Sequence, residues 1–495
     1  MLPILLATSL LLGVVFVYLL WTRDWEHWEK KGVVGPKPSF PYGNVKPVFD
    51  ANETFGDFLE RTINKWPEEP LIGFYSFFKP MLIVNDPDLV KVMLIRDFHN
   101  FVDNAIDLSC VDSLLKKSLF WIKGYQPWKE TRALFTPSLT SSKQKTMFPI
   151  MVESTQRHFY GRPQNEAEVF KAIKLMLHDS ILRIAFGVEV DLINEMKNVD
   201  SPYKEYLEGD LFVDRKGSHL LSCASHLAHW YLKFSRRRVV SQERHDFYVR
   251  FINSCVDARK KSQETRNDIL QAIIDIEKKA MAEGKPGFTP EDWASNMLTV
   301  MLDSTETIGL VFKLVLFALA RNPKEQEKLR TEVLKNGSKL EDYDYDKVAT
   351  LKRMDMFINE SLRVYPPLMG LGKICVKTTK LGDVVVEKGT FLFIPTSSFQ
   401  MNPKYFPNPT TFDPDRFANT GNVKSCSFLP FGEGPRACLG QRYALMAMKI
   451  LLVKFLVTFN VSLEGDLDEP VVHSKKSPFI NVFQEEPKWK FTQFE

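Results

Sequence analysis

Apolar positions along this chain fall into three kinds of run. The first is Met1 to Trp21, which carries no charged side chain. At about 1.5 Å per residue, such a helix spans a hydrocarbon layer of roughly 30 Å. Tyr18, Trp21, Trp25 and Trp28 crowd its far end, in the manner of an interfacial aromatic belt. The start, MLPILL, lacks the basic residues of a cleavable signal, and no good cut site follows, so residues 1–21 read as a retained anchor. Arg23, Lys30 and Lys31 follow it and place the body on the cytosolic side of the membrane. Residues 22–45 read as a hinge: Gly32 to Asn44 holds three prolines, each of which removes a donor and biases its predecessor to extended backbone.

The second kind is β-like. Leu71 to Asp86 has two β-rich runs around Lys79-Pro80 and predicts a hairpin; Asp86-Pro87 then opens a helix. The third kind is helical and dominates. Thr289-Pro290-Glu291-Asp292 is a helix start, and the next stop is Asn322-Pro323. That predicts a helix of about 31 residues, roughly 46 Å long. Its apolar residues, from Trp293 to Val315, point to more than one side, so a helix here must cross the middle of the protein. The fold class is therefore mainly α with a smaller β part.

Composition narrows the picture only a little. A 44% apolar and 25% charged chain with net charge +4 is an ordinary folded protein, with no signal for nucleic acid. Six cysteines without a C-x-x-C pair argue against a disulfide framework and a zinc ribbon. No repeat, linker or composition shift divides residues 46–495, which read as one domain.

The sharpest local chemistry lies in Phe428 to Ile450. Cys438 sits between Gly434 and Gly440, just before a helical pattern. A thiol there feels the positive end of the helix dipole, which favours the thiolate. Glycines let a flat ligand or a backbone approach closely. Arg436 adds a fixed positive charge that could hold an acidic group of a ligand. Two readings stay open on these residues alone: a thiolate for a large electron-poor ligand, or a structural cysteine in a tight turn.

The pattern Phe431-x-x-Gly434-x-Arg436-x-Cys438-x-Gly440 resembles the haem-thiolate signature of the cytochrome P-450 family, and the overall sequence is most similar to its insect xenobiotic-metabolising members. Trp128-x-x-x-Arg132 resembles that family's haem-propionate motif. Glu360-x-x-Arg363 is similar to its buried ion pair, and Phe412 to Phe417 to the segment bringing Arg416 to that pair. The resemblance implies the cytochrome P-450 fold with a single N-terminal transmembrane anchor helix. It implies haem b with Cys438 as the axial iron ligand, and Phe431, Gly434, Arg436, Gly440, Trp128, Arg132 and Lys373 around the cofactor. An axial thiolate pushes electron density onto iron and favours O–O cleavage.

In the long helix, Asp303-Ser304-Thr305-Glu306-Thr307 aligns with the family's acid–alcohol region. Glu306 and Thr307 match the pair that delivers protons to dioxygen. Asp303-Ser304 departs from the family's usual Ala-Gly. Asp303, one turn before Thr307, should sit at the haem edge on the same face; being one methylene shorter than Glu, it is expected to form no ester to the haem. Lys373 stands where many relatives have Arg, keeping the charge without the two-pronged contact.

The resemblance further implies a microsomal monooxygenase on the endoplasmic reticulum membrane, with a small lipophilic substrate. Its electrons would come from NADPH through a separate reductase, with cytochrome b5 as a second candidate donor. Segments Phe101 to Leu119 and Leu207 to Trp230, with Asp103, Asp107, Asp112, His226 and His229, fall where the family contacts substrate; Leu368 to Leu371 is a further candidate lining. Lys129, Lys424, Arg442 and Lys449 are candidate docking cations, and Leu227 to Phe234 a candidate membrane contact. A peroxide isomerase and a haem sensor are the alternative readings.

Overall fold

The computed structural model describes residues 2–106, 113–160, 163, 165–198, 201, 203–207, 223–224, 227–228, 230–231, 234, 241–262, 264–419, 421, 423–465 and 471–494. Asp107, Cys110, Asp112, His226 and His229 lie outside them.

Helix α1 (Leu2–Thr22) has no buried residue and a mean hydropathy of 2.5, and is long and apolar enough to cross a membrane. The stretch after it is docked rather than free. Trp21 donates its indole N–H to the Pro41 carbonyl at 2.7 Å, and Trp25 donates to Phe77 at 2.9 Å. Trp28 is buried, and the Gly73 N–H donates to the Val34 carbonyl at 2.8 Å. These contacts hold the foot of α1 against the sheet. Leu227 and Ala228 are buried beneath it, Trp230 meets Trp21 with centroids 6.0 Å apart, and Phe234 is 88% exposed.

The main sheet has strands β1 (Leu71–Ser76), β2 (Lys79–Val84), β3 (Asp103–Asn104), β4 (Leu371–Ile374) and β5 (Phe391–Ile394), in spatial order β1-β2-β5-β4-β3. The predicted hairpin is present, but its turn is Phe77-Phe78, with Ser76 opposite Lys79. Pro80 belongs to β2 instead. It is tolerated because β5 pairs only with Met81 to Ile83, so the missing N–H costs no bond on that side.

Helices make up most of the rest. Those that matter for the site are α2 (Tyr125–Phe135), α3 (Pro290–Arg321), α4 (Lys352–Val364) and α5 (Gln441–Thr458). The start of α3 is a capping box: the Asp292 N–H donates to Thr289 and the Thr289 N–H donates back to the Asp292 carboxylate. Its 32 residues run through the largest apolar core, packing on the helix Glu166–Phe186, on α4 and on α5. A helix apolar on several sides has nowhere else to lie.

Candidate active site

Between Trp293 and Ala320 of α3, only Asp303 and Thr307 are exposed. They are one turn apart, so they share a face. The turns around them, with Leu298, Met301, Leu302 and Ile308, are buried. Exposure in the middle of a core helix means that this face borders an interior hollow. Cys438 is also exposed, although it sits deep enough for burial to push its thiol up. The charge of Asp303 reaches Cys438 and raises it further. The α3 face and the cysteine loop thus confront each other across one slot.

Local backbone explains the loop. The Cys438 N–H donates to the Phe431 carbonyl at 2.7 Å, closing the turn. Gly434 has φ +73°, and a Cβ there would fall 2.0 Å from the Leu94 carbonyl oxygen, so only glycine fits. Gly440 begins α5, and a Cβ on it would meet nothing within 4 Å. The expectation of a protein-favoured thiolate is corrected here. Burial and Asp303 outweigh the Gly440 N–H and Arg132, which pull the thiol down. The helix dipole cannot offset desolvation by itself. A Lewis acid, which deprotonates a coordinating thiol outright, would favour the sulfur anion at this place.

At the slot's edge sits a group of cations. Arg132 and Arg436 both stack on the buried Trp128 ring, at 5.8 and 5.3 Å from its centroid. Arg436 donates to the Ile122 carbonyl at 2.9 Å and to Phe120 at 3.3 Å, while its buried Nε has no partner among the described residues. Burial, with Arg132 nearby, lowers its guanidinium to about 10. Lys373, on β4, is buried and donates to the Asn104 side chain at 2.8 Å. Burial, then Arg436 and Lys123, push it down to about 7. Asp103 is the carboxylate that acts on both Arg436 and Lys373, and its Oδ1 already accepts the Gly124 N–H at 2.7 Å. Four buried or half-buried cations against one acid form a seat for a ligand with acidic arms.

A second charge cluster lies away from the slot. Arg363 holds Glu360 in a two-pronged pair at 2.7 and 2.8 Å, with both side chains fully buried. Every remaining valence is used: Arg363 donates to the carbonyls of Gln400 (2.8 Å) and Thr411 (3.2 Å), and the Asp413 N–H donates to Glu360 at 2.7 Å. Arg416 lies 3.5 Å from Glu360 and donates to the Asn408 carbonyl at 2.7 Å.

The remaining sequence candidates divide. Thr307 donates its hydroxyl to the Asp303 carbonyl oxygen. Ser304 and Phe431 are half-buried. Glu306 is half-buried on another side of α3, where its charge reaches the fully buried Tyr206. Leu368 is 43% exposed, but Met369 is buried with its sulfur against the Gly56 N–H at 2.9 Å. Lys449 is no surface cation: it is buried and paired with Asp355 at 2.7 Å, because its position on α5 faces the core. Lys424 pairs with Asp88 at 2.8 Å, and Arg442 donates to Ser141 at 3.0 Å. Lys123, Asn104 and Tyr206 were not legible in the sequence; nothing in the linear pattern marks them. Asp103, named only within a candidate substrate-contacting segment, proves to be part of the cation cluster.

Comparison with known proteins agrees with this geometry. The family model described as Cytochrome P450 matches residues 35–491. Cytochrome P450 6j1 of Blattella germanica is 28% identical over 460 residues, 90% of each chain. Cytochrome P450 3A31 of Mesocricetus auratus is 30% identical over 491 residues, covering 96% of this chain and 93% of that one. Lithocholate 6-beta-hydroxylase of the same hamster is 29% identical over 473 residues, 92% and 90%. A two-armed acidic macrocycle whose iron takes a cysteine thiolate answers both needs of the slot, a Lewis acid for sulfur and anions for the cations. The chain belongs to the cytochrome P450 family and is a haem-thiolate monooxygenase.

Proposed function

We propose that Cys438 would hold the iron of haem and that the enzyme inserts one oxygen atom from dioxygen into a small lipophilic substrate. The observation that carries this is the exposed Cys438 facing Asp303 and Thr307 across the interior slot. When bound, the haem supplies dioxygen activation, with the thiolate donating electron density. The protein's own residues do the rest. The Gly440 N–H and Arg132 favour the negative charge on sulfur. Arg132, Arg436 and Lys373 would hold the cofactor's carboxylates, and Trp128 stiffens both arginines by stacking. Thr307 and Glu306 hold and move the proton: Thr307 is exposed on the slot face with its hydroxyl bonded to the Asp303 carbonyl, and the charge of Glu306 reaches Tyr206 on another side of α3. Glu360, Arg363 and Arg416 are structural.

Residues 46–495 act as the catalytic body, held by 22–45 to an anchor at 1–21 in the endoplasmic reticulum membrane. The bare α1 and the aromatic cluster at its foot support this reading. Electrons come from NADPH through a separate reductase, with cytochrome b5 as a further donor. Lys129 and Arg442 support docking near the cysteine loop; Lys449 does not.

The test is the carbon monoxide spectrum of the reduced protein. Wild type gives the red-shifted Soret maximum of a thiolate-ligated haem, and Cys438→Ser abolishes it. A Cys438→Ser protein that keeps the band refutes the assignment.

A further inference from the structure

The carboxylate of Asp303 is the one charged group of α3 that faces the slot, and no described residue answers it. Among the described residues no hydrogen bond or ion pair reaches it, and burial alone pushes it up to about 7. The neighbouring hydroxyl of Thr307 is turned to the Asp303 main-chain carbonyl, not to the carboxylate. The cations of the site are engaged elsewhere. Lys373 meets Asn104, and Arg436 meets the carbonyls of Phe120 and Ile122. Arg132 stacks on Trp128, and the acid it faces is Cys438. Glu306 is directed to the Tyr206 side. An acid kept in an apolar interior without a partner costs stability, and it recovers that cost when a ligand brings the opposite charge.

We propose that Asp303 is a specificity residue that anchors the ammonium group of a lipophilic amine substrate, one helical turn from Thr307. This rests on the haem-thiolate reading of the slot and names the substrate class that reading leaves open. The apolar surroundings hold the substrate's hydrocarbon part, and the unanswered charge sets its orientation. A neutral molecule of the same shape fills the same space but leaves the carboxylate unpaired. Discrimination therefore follows charge rather than size.

The test uses the full-length holoenzyme and two isosteres. Octanoylcholine carries a permanent cation that cannot ligate iron; 3,3-dimethylbutyl octanoate replaces its nitrogen by carbon. Dissociation constants are measured by equilibrium dialysis and by the Soret perturbation, without turnover. Wild type binds the cation at least about tenfold more tightly than the isostere. Asp303→Asn loses that preference to within about twofold while keeping its affinity for the neutral ester, and Asp303→Glu restores it. Equal binding of the two probes by wild type, or an undiminished preference in Asp303→Asn, overturns the proposal. So does haem that stays with the protein after acid–organic extraction, since an ester would consume the carboxylate. The carbon monoxide spectrum is recorded for each variant. A normal band with no charge preference defeats the Asp303 assignment alone, whereas a missing band in wild type defeats the haem-thiolate reading and this proposal with it.

Discussion

Two groups of buried charge sit within this fold, and they are built on opposite terms. Around Glu360, the acid receives Arg363 on two prongs and the Asp413 N–H, and the leftover arginine donors go to main-chain carbonyls. Around Arg436, Asp103 acts on Arg436 and Lys373, the Arg436 Nε has no partner among the described residues, and Lys373 is pushed far toward its neutral form. In the first group the Glu360–Arg363 pair is matched without any ligand, only the peripheral Arg416 Nε lacking a hydrogen bond among the described residues, so its energy is spent on holding α4 against the segment 407–416. The second is incomplete, so its energy is released only when anions arrive. Balance separates a structural cluster from a binding one more reliably than burial, which both share.

The largest expected effect breaks the matched pair. Glu360→Gln leaves Arg363 buried with half its partner gone and should lower unfolding free energy by about 3–5 kcal/mol. Urea unfolding of the holoenzyme measures it; a change below about 1 kcal/mol would mean the pair is not a keystone.

Lys373→Met sharpens the contrast, because removing a cation from the incomplete group should have the opposite sign. The haem-free chain should gain about 1 kcal/mol, while haem passes to an apoglobin acceptor about tenfold faster. The pH dependence checks the cause. In the unfolded chain the ammonium keeps its proton to about 10.4, but in the fold it loses it near 7. Between those values the unfolded state binds more protons, so stability of the haem-free chain rises as pH rises through that window. Lys373→Met should flatten that rise. Destabilisation instead would place Lys373 with the structural group.

The smallest effect is the control. Lys424 and Asp88 form an exposed pair at 2.8 Å, and Lys424→Ala should cost under about 1 kcal/mol in the same urea measurement. A larger loss would undercut the claim that balance matters only where water is excluded.

Much of the site was legible in the linear chain because its signals are local. The capping box and the Asn322-Pro323 stop bound α3 to within a residue or so. Gly434 is demanded by a backbone angle and by one contact, so the turn around Cys438 could be read from its glycines. Lys449 was misread because one position on a helix decides between solvent and core, and α5 turns that position inward. The thiol's direction of shift was misread for a related reason: the dipole of α5 is local, but the desolvation that outweighs it depends on everything packed around the loop.

Spacing along the chain sufficed for the apolar helix α1, the core helix α3 and the turn around Cys438, since each is set within a few residues by hydrophobic period, capping or main-chain geometry; the buried pairing of Glu360 with Arg363 was implied only by the family resemblance. Folding alone decided which charges ended beside which. Asp103 and Asn104 reach Lys373 through the pairing of β3 with β4, and Asp303 reaches Cys438 across 135 residues of chain. Electrostatic energy depends on distance in space and on the exclusion of water, and neither is a property of sequence separation.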